Sequence, residues 1–166
     1  MKIETERLII RSFVESDIDE YAKIVNDGRV TKYLINTSPR SFQEASDFVK
    51  ETITEESETG IARYAVVLKE NNKLIGFCGF KAFDDYTDFG WLYGFEHWGN
   101  GYGSEAALAV FDYGIQELQL TDMVSGTVIE NVASVKIIEK LGFEYKTHRE
   151  KNGNQLAVHS QFDINP

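Results

Sequence analysis

Residues 97–106 read His-Trp-Gly-Asn-Gly-Tyr-Gly-Ser-Glu-Ala, with glycine at every second position from 99 to 103. These glycines, Gly99, Gly101 and Gly103, let the backbone turn sharply and approach a ligand with no Cβ in the way. From Ser104 to Leu118 the apolar residues recur with helical spacing, which predicts a helix directly after the loop. The start of a helix presents free N–H groups and the positive end of the helix dipole, and such a place suits a phosphate. The stretch therefore predicts an anion-binding loop that opens a helix.

Three other kinds of loop share parts of this pattern. The dipeptide Asn100-Gly101 is typical of a hairpin turn, but the helical pattern that follows leaves no returning strand. Residues 101–106 satisfy the G-x-G-x-x-A of dinucleotide-binding domains. That motif follows the first strand of a parallel sheet and needs an acidic residue at the end of the next strand, whereas Asp122 lies at the start of that strand. A P-loop needs Gly-Lys-Ser/Thr, and this loop contains no lysine.

Hydrophobic periodicity predicts elements on both sides of the loop, in the order β-α-α-β-β-β-α-β-α-β-β. Strands are predicted over residues 7–11, 63–69, 74–83, 88–93, 122–129, 143–151 and 155–164, and helices over 16–28, 41–54, 104–118 and 131–142. Antiparallel pairs with one strand–loop–helix–strand crossover in the middle indicate the α+β class.

Capping and turn residues mark several element ends. Ser41 and Glu44 form a capping box for the second helix, which is expected to fade into the acidic run 55–58 as a solvated end. Asn131 is expected to cap the last helix. The dipeptide Asn152-Gly153 predicts a hairpin between the last two strands.

The composition bounds the class of protein. A chain of 166 residues with 42% apolar and 27% charged residues is typical of one globular domain, and no apolar run approaches the ~20 residues of a membrane span. The N-terminal segment has no apolar signal core, so we expect a soluble protein of the cytoplasm, which the single cysteine fits. A formal charge of −10 argues against nucleic acid as a partner and would attract a basic peptide or a polyamine.

Four motifs spread along nearly the whole chain resemble one family. They are residues 5–11 (Thr-Glu-Arg-Leu-Ile-Ile-Arg), 89–93 (Phe-Gly-Trp-Leu-Tyr), 97–106, and 131–143 (Asn-Val-Ala-Ser-Val-Lys-Ile-Ile-Glu-Lys-Leu-Gly-Phe). With them the sequence resembles the GNAT superfamily of acetyl-CoA-dependent N-acetyltransferases, and within it the RimJ/RimL-like branch of ribosomal-protein N-terminal acetyltransferases. Trp98 stands where the general superfamily has Gln or Arg, and Trp is usual in that branch.

The resemblance implies an α+β, three-layer fold: a mixed, mostly antiparallel seven-stranded sheet with about four helices, residues 1–166 forming a single N-acetyltransferase domain. It implies acetyl-CoA as co-substrate and no metal, with the pantetheine arm paired to the strand 88–93 and the pyrophosphate on the amides of residues 99–104. The implied cofactor-binding residues are Trp91, Leu92, Tyr93, Trp98, Gly99, Asn100, Gly101, Tyr102, Gly103, Ser104, Asn131 and Ser134. For Asn131, a plain helix cap and a ligand contact both stay open.

Acetyl transfer to an amine needs a neutral amine, a stabilised oxyanion and a proton for the leaving thiolate. Asp88, where relatives often carry Glu, is the candidate for holding a proton-accepting water, and its alternative is a solvated turn residue. The backbone N–H of Tyr93 is the candidate for the oxyanion. Many relatives place a tyrosine proton donor where this chain has Ile138, which leaves Ser134 or a bound water as the donor; Ser134 is otherwise an ordinary first-turn helix residue. Cys78 lies in a buried strand pattern and is not expected to act as a nucleophile.

The acceptor is expected opposite the cofactor, between the loops at residues 32–35 and 149–151. The branch implies a peptide N-terminal α-amine, attacked in a ternary complex. The alternatives are a small amine, such as a polyamine, amino acid or drug, and a noncatalytic acyl-CoA-binding regulatory module. The sequence leaves a monomer and a homodimer open. The three histidines are too scattered to suggest a metal site, although His148 and His159 could face each other across the last hairpin.

Overall fold

The computed structural model describes residues 1–34, 36–151 and 153–160, whose strands form one eight-stranded sheet with helices on both faces. The strands are β1 (Lys2–Glu4), β2 (Leu8–Arg11), β3 (Arg63–Leu68), β4 (Leu74–Ala82), β5 (Thr87–Tyr93), β6 (Met123–Val128), β7 (Glu144–Lys151) and β8 (Asn154–Ser160). The helices are α1 (Ile18–Val25), α2 (Gly28–Thr31), α3 (Phe42–Thr59), α4 (Tyr102–Gln116) and α5 (Val132–Lys140).

The sheet confirms the α+β class and has one strand more than the seven expected. The additional strand is β1, which pairs antiparallel with β2 at the edge of the sheet, Lys2 lying opposite Arg11. Three residues are too few for an alternating pattern to stand out in a sequence. Of the helices, α1, α3, α4 and α5 correspond to the four expected, and α2 is a single additional turn.

The order of strands in the sheet is β1-β2-β3-β4-β5-β6-β8-β7, and β5 and β6 are its parallel neighbours. Helices α1 and α3 cover one face, where Val49 and Val67 belong to the same core cluster. Helices α4 and α5 cover the other face, where Val110 and Ile138 pack with Phe89. The predicted crossover is therefore β5–α4–β6, and the glycine loop lies inside it.

The predicted helix 16–28 is divided in two. Helix α1 ends at Val25, and Gly28, which we expected to end the helix, instead begins α2. Asp27 caps α2, because its carboxylate accepts a hydrogen bond from the backbone N–H of Arg29 at 2.9 Å. The chain after α2 then passes along one wall of the groove described below.

Helix α3 begins at the expected capping box of Ser41 and Glu44. The helix continues through the acidic run 55–58, which we had expected to be a fading, solvated end. Inside this run, Glu55 pairs with Lys81 of β4 at 3.1 Å. The contact joins the end of α3 to the sheet, and a partner so distant in the chain cannot be identified from local pattern.

Helix α4 begins two residues earlier than predicted and buries most of the expected face. Ala107 and Val110 are buried, and Phe111 and Leu118 pack against the core, whereas Ile115, which we expected on the buried face, is 42% exposed. A Cβ at Gly114 would lie 2.5 Å from the ring of Phe80. The glycine therefore lets α4 approach the sheet closely at that position.

The last two strands pair as the predicted antiparallel hairpin, with Gly153 at a left-handed φ of +76°. Asn152 of the predicted turn, residues 161–164 of the predicted strand and Ile35 of the expected acceptor loop lie outside the described residues. Within the part of the chain that the structure describes, no helix is both long and apolar enough to cross a membrane.

Strands β5 and β6 fork soon after they begin. Among the described residues, their parallel register covers only the pair Asp88–Val124 and the pair before it. At the fork, the hydroxyl of Ser125 donates a hydrogen bond to the carbonyl of Phe89 at 2.8 Å. The later halves of the two strands diverge, and the gap between them is the position at which the site is built.

Candidate active site

The gap between β5 and β6 belongs to a groove of about 1200 Å³ that opens toward both faces of the sheet. Its lining includes Trp91 and Ser134 on the α4/α5 side and Phe48 and Phe77 on the α1/α3 side. A groove lined from both faces allows two molecules to meet between the strands. It is the candidate active site.

The edge of β5 that faces the gap presents backbone groups. The N–H of Gly94 donates to the carbonyl of Ile75 in β4 at 2.9 Å, which fixes the hydrogen-bond alternation of the β4–β5 pair. By that alternation, Trp91 and Tyr93 turn their backbone groups toward the gap. An extended ligand with amide groups can pair with such an edge like an added strand.

Leu92 is a correction to the expected cofactor contacts. Neighbouring residues of a strand direct their backbone groups to opposite edges, so the N–H and C=O of Leu92 face β4 opposite Phe77. The Leu92 side chain lies with the α1/α3 core and lines the groove from that side. Of the three β5 residues predicted to bind the cofactor through their backbone, Trp91 and Tyr93 have the required direction.

The glycine loop enters α4 at one end of the groove. Gly99 and Gly101 have φ angles of +75° and +82°, which residues with a Cβ adopt only at an energetic cost. Gly103 is required for a different reason, since its Cβ would lie 3.3 Å from the ring of Tyr93. Among the described residues no side chain caps the start of α4, so its first N–H groups are available to an anion.

The side chains of Asn100 and Tyr102 contact the loop itself, and the expected contact of their backbone amides with the cofactor stays a prediction. The side-chain amide of Asn100 donates to the Trp98 carbonyl at 3.1 Å, and the backbone carbonyl of Asn100 accepts a hydrogen bond from Arg7 at 2.9 Å. The ring of Tyr102 lies 4.6 Å from the guanidinium carbon of Arg7. Both residues therefore hold the loop in shape from its Arg7 side.

Trp98 fixes the direction in which the chain leaves β5. Its indole N–H donates to the carbonyl of Tyr93 at 2.9 Å. Its ring centroid lies 5.9 Å from that of Tyr33 and 5.2 Å from that of Phe95. Trp98 and Ser104 both line the groove, as expected of cofactor-binding residues.

Thr5 and Arg7 clamp the glycine loop through Glu105, a role that the sequence alone did not reveal. Glu105, in the first turn of α4, accepts hydrogen bonds from the Thr5 hydroxyl at 2.6 Å and from the Arg7 backbone and Nε at 2.9 and 2.8 Å. Burial acts to raise the pKa of Glu105, but the hydrogen bonds from Thr5 and Arg7 prevail and lower it below its usual range. The sequence motif at residues 5–7 was noticed, but its contact with the glycine loop becomes visible only in the folded structure.

We predict that Arg7→Lys weakens acetyl-CoA binding about 3- to 10-fold, because lysine keeps the charge but cannot form the forked contact with Glu105 and the loop. Calorimetric Kd values measure this effect, and kcat at saturating acetyl-CoA should change less than about 2-fold. Arg29→Lys is the matched control, since Arg29 pairs with Asp27 outside the clamp. An unchanged Kd in Arg7→Lys would contradict the clamp.

The start of α5 forms the wall opposite β5. The Asn131 side chain caps the helix, as predicted, by accepting a hydrogen bond from the Ser134 N–H at 3.2 Å. The Ser134 hydroxyl accepts one from the Trp91 indole N–H at 3.3 Å, which joins α5 to β5. Because the hydroxyl is the acceptor in that bond, its own proton stays available for donation. Both Asn131 and Ser134 line the groove.

Ile138 stands where the family resemblance leads us to expect a tyrosine proton donor. Its side chain is 1% exposed and packs in the α4/α5 core cluster. An aliphatic side chain has no proton to give, so a proton for the leaving group has to come from Ser134 or from water.

Asp88 lies in the groove with a cationic partner that the sequence did not suggest. Its carboxylate forms an ion pair with the guanidinium of Arg63, which also lies 5.5 Å from the ring centroid of Phe77. The Asp88 side chain is 30% exposed, so water can reach the pair. Asp88 is thus not a solvated turn residue, and its expected role of holding a proton-accepting water stays a prediction.

Cys78 and the Tyr93 phenol lie in the core below the β5 edge. Burial raises the pKa of the Cys78 thiol to about 12, and it raises the pKa of Tyr93 well above its usual value. A thiol that keeps its proton is a poor nucleophile. The environment of Cys78 thus agrees with the prediction that it takes no covalent part in the reaction.

The histidines are distributed as separate residues. His97 lines the groove beside the loop, and burial lowers its pKa. The β7–β8 register pairs His148 with Ala157 and His159 with Tyr145, so the two histidines do not face each other. In the described ranges, no three His, Cys, Asp or Glu side chains are grouped as metal ligands.

Comparison with known proteins agrees with this geometry. Residues 7–144 match the model of the acetyltransferase (GNAT) domain. The uncharacterized N-acetyltransferase p20 of Bacillus licheniformis is 33% identical over 144 residues, which cover 84% of this chain and 80% of that protein. The crystal structure of a GNAT-family acetyltransferase from Bacillus anthracis superposes with a TM-score of 0.81 at 25% identity, over 96% of each chain.

RimL, a ribosomal L7/L12 alpha-N-protein acetyltransferase solved in complex with coenzyme A, superposes with a TM-score of 0.83 over 97% of each chain. Its identity is 16%, so this likeness shows the fold alone. Forked parallel strands, a glycine loop that opens a helix, and a family match over most of the sequence lead to one conclusion: the chain belongs to the GNAT acetyltransferase family.

Proposed function

We propose that the groove brings acetyl-CoA and a primary amine together, and that the amine attacks the thioester directly in a ternary complex. The fork between β5 and β6 carries this proposal, because it opens a strand edge beside a helix start that can bind phosphate. The acceptor we propose is the N-terminal α-amine of a peptide or protein. RimL, named for acting on such an amine, supports this choice through its fold.

The residues of the groove fit coenzyme A. At Gly103 a Cβ would meet the Tyr93 ring, so the glycine lets the start of α4 pack closely against β5 beside the gap. The amides of residues 99–104 would hold the pyrophosphate, and the Trp91 edge would hold the pantetheine arm. Asn131 would add a side-chain contact. When bound, acetyl-CoA supplies an acetyl group activated as a thioester.

The remaining roles follow from the directions of the groups in the groove. An α-amine with a pKa near ~8 is already partly neutral at pH 7, so a water held by Asp88 need accept its proton only with modest assistance. The Tyr93 N–H, turned toward the gap, stabilises negative charge on the carbonyl oxygen. Ser134 keeps a hydroxyl proton for the thiolate, which with a pKa near ~8.5 is a tolerable leaving group without a strong acid.

Two observations favour a second candidate, a noncatalytic acyl-CoA-binding regulatory module. The usual proton donor is replaced by the buried Ile138, and the candidate base Asp88 is paired with Arg63. Such a protein would use the same loop and the same fork to bind its ligand without turnover.

An acceptor panel distinguishes these functions. Purified protein with acetyl-CoA is offered short peptides with free N-termini, amino acids and polyamines, and released thiol is measured. We expect release with peptide α-amines and slower release with polyamines. Tight binding of acetyl-CoA without thiol release from any amine would establish the regulatory module instead.

A further inference from the structure

The half of the groove on the α1/α3 face contains two arginines, Arg40 and Arg63, although the whole chain has a formal charge of −10. Because the glycine loop and α5 lie at the other half, this is the half left to the acceptor. The charges there therefore bear on which amine can enter.

Arg40 is positioned in the segment between α2 and α3. Its backbone N–H donates to the carbonyl of Val25 at 2.9 Å, which ties it to the end of α1. Its guanidinium donates to the carbonyls of Ser38 and Asn36 at 3.0 and 3.1 Å. Both partners are neutral, and Arg40 takes part in none of the ion pairs formed within residues 1–34, 36–151 and 153–160.

Arg40 and Arg63 both act on the phenol of Tyr21. Burial raises the pKa of Tyr21, and the positive charges of Arg63 and Arg40 oppose that shift. Asp88 balances the charge of Arg63 through their ion pair. Arg40 forms no such ion pair among the described residues; its charge adds to the hydrogen bonds from Ser41 that lower the pKa of Glu44.

Two other cations line this half. Lys81 pairs with Glu51 at 2.9 Å, and it also contacts a second glutamate of α3. Arg149 and Glu150 lie on the β7 wall, and both line the groove. Within the described residues, Arg40 is the groove arginine of the segment between α2 and α3, and it forms no ion pair.

Aromatic rings form the surface beside these arginines. Tyr21 stacks on Phe48 with ring centroids 4.8 Å apart, and Phe48 lies 5.3 Å from Phe77. Phe48 and Phe77 both line the groove. The acceptor half consequently combines an apolar surface with a guanidinium that forms no ion pair among the described residues.

We infer that the amine accepted by this groove also carries a carboxylate, which Arg40 binds while the apolar part of the molecule contacts Phe48 and Phe77. The inference rests on the proposed function, because it names the class of acceptor for that site. A guanidinium binds a carboxylate through two parallel charge-assisted hydrogen bonds, whereas it repels a polyamine. The carboxylate can belong to an amino acid or to an acidic side chain near a peptide N-terminus.

Matched acceptors test the inference in both forms. Phenylalanine is compared with phenylalaninamide, and the amidated peptide Ser-Asp-Phe with Ser-Asn-Phe. We expect kcat/KM to be at least about 10-fold higher for the carboxylate member of a pair. The pair that shows the preference identifies the source of the carboxylate. The amine of phenylalaninamide is less basic than that of phenylalanine, so more of it is neutral at pH 7. Intrinsic reactivity alone would therefore favour the amide, which is the opposite of the expected result.

Variants assign the preference to Arg40. Arg40→Gln should lower kcat/KM for the preferred carboxylate acceptor about 10-fold or more. It should change kcat/KM for the matching amide acceptor less than about 2-fold and leave the Kd of acetyl-CoA unchanged. Arg29→Gln is the control, because Arg29 pairs with Asp27 on α2 and stacks over Phe95 at 4.2 Å. It should retain the full preference.

Two outcomes overturn the inference while the proposed function stands. In the first, the wild-type protein has equal kcat/KM values for the amide and the carboxylate acceptors. In the second, Arg40→Gln lowers kcat/KM equally for both acceptors of a pair. A third outcome, acetyl-CoA binding without thiol release from any of these amines, rejects the proposed function and the inference together.

Discussion

Gly101→Glu is expected to weaken acetyl-CoA binding by at least about 100-fold. The substitution places a carboxylate at the helix start where the pyrophosphate is proposed to lie, and like charges ~4 Å apart near a protein surface repel by about 4 kcal/mol. The left-handed φ of +82° adds a conformational cost of about 1–2 kcal/mol for a residue with a Cβ. The measurement is acetyl-CoA-induced thermal stabilisation, which at 100 Kd amounts to about 2.7 kcal/mol for an intact site.

Gly101→Asn is the matched control for this experiment. Asparagine has a Cβ and therefore also pays a cost for the left-handed φ, although a smaller one than most residues. It carries no charge. It should retain most of the stabilisation, and circular dichroism should show that both variants are folded. Full stabilisation of Gly101→Glu by acetyl-CoA would refute our placement of the phosphates at this loop.

Asp88→Asn is expected to lower kcat about 100-fold while leaving the Kd of acetyl-CoA within about 2-fold, because an amide cannot hold a water as proton acceptor and general bases contribute roughly 10²–10⁴ in rate. The readout is thiol release at saturating concentrations of both substrates. Asp88→Glu should recover part of the rate, since it restores a carboxylate.

The ion pair with Arg63 gives Asp88→Asn a second route to inactivity, namely an unpaired guanidinium in the groove. The double variant Asp88→Asn/Arg63→Gln removes that charge. If Asp88 acts on the water, the double variant stays as slow as the single one. Recovery of the rate in the double variant would assign Asp88 a purely structural role.

The glycine loop could be predicted because its causes are local. The left-handed turns at Gly99 and Gly101 and the helix that follows depend on adjacent residues. The Asn131 cap and the Ser41 capping box are local in the same sense. Such features depend on short stretches of sequence, and the structure has each of them at the predicted residues.

The fork and the charge pairs depend on contacts between distant parts of the chain. Arg7 and Glu105 are 98 residues apart, and Arg63 and Asp88 are 25 apart, so neither pair has a spacing that a local pattern can signal. The error at Leu92 has the same origin. A strand pattern shows that backbone directions alternate, but the register with β4 decides which residues face the gap.

We propose that this groove moves an acetyl group from acetyl-CoA directly to an amine. To test this transfer, the protein is incubated with acetyl-CoA, first alone and then with an acceptor amine, and free thiol, acetylated amine and acetylated protein are quantified by mass spectrometry. We predict no acetylated protein before the amine is added, and thiol and acetylated amine in equal amounts afterwards. Acetyl-CoA bound but returned unchanged with every amine, or an acetyl group found on Cys78 before the amine is added, would contradict the account.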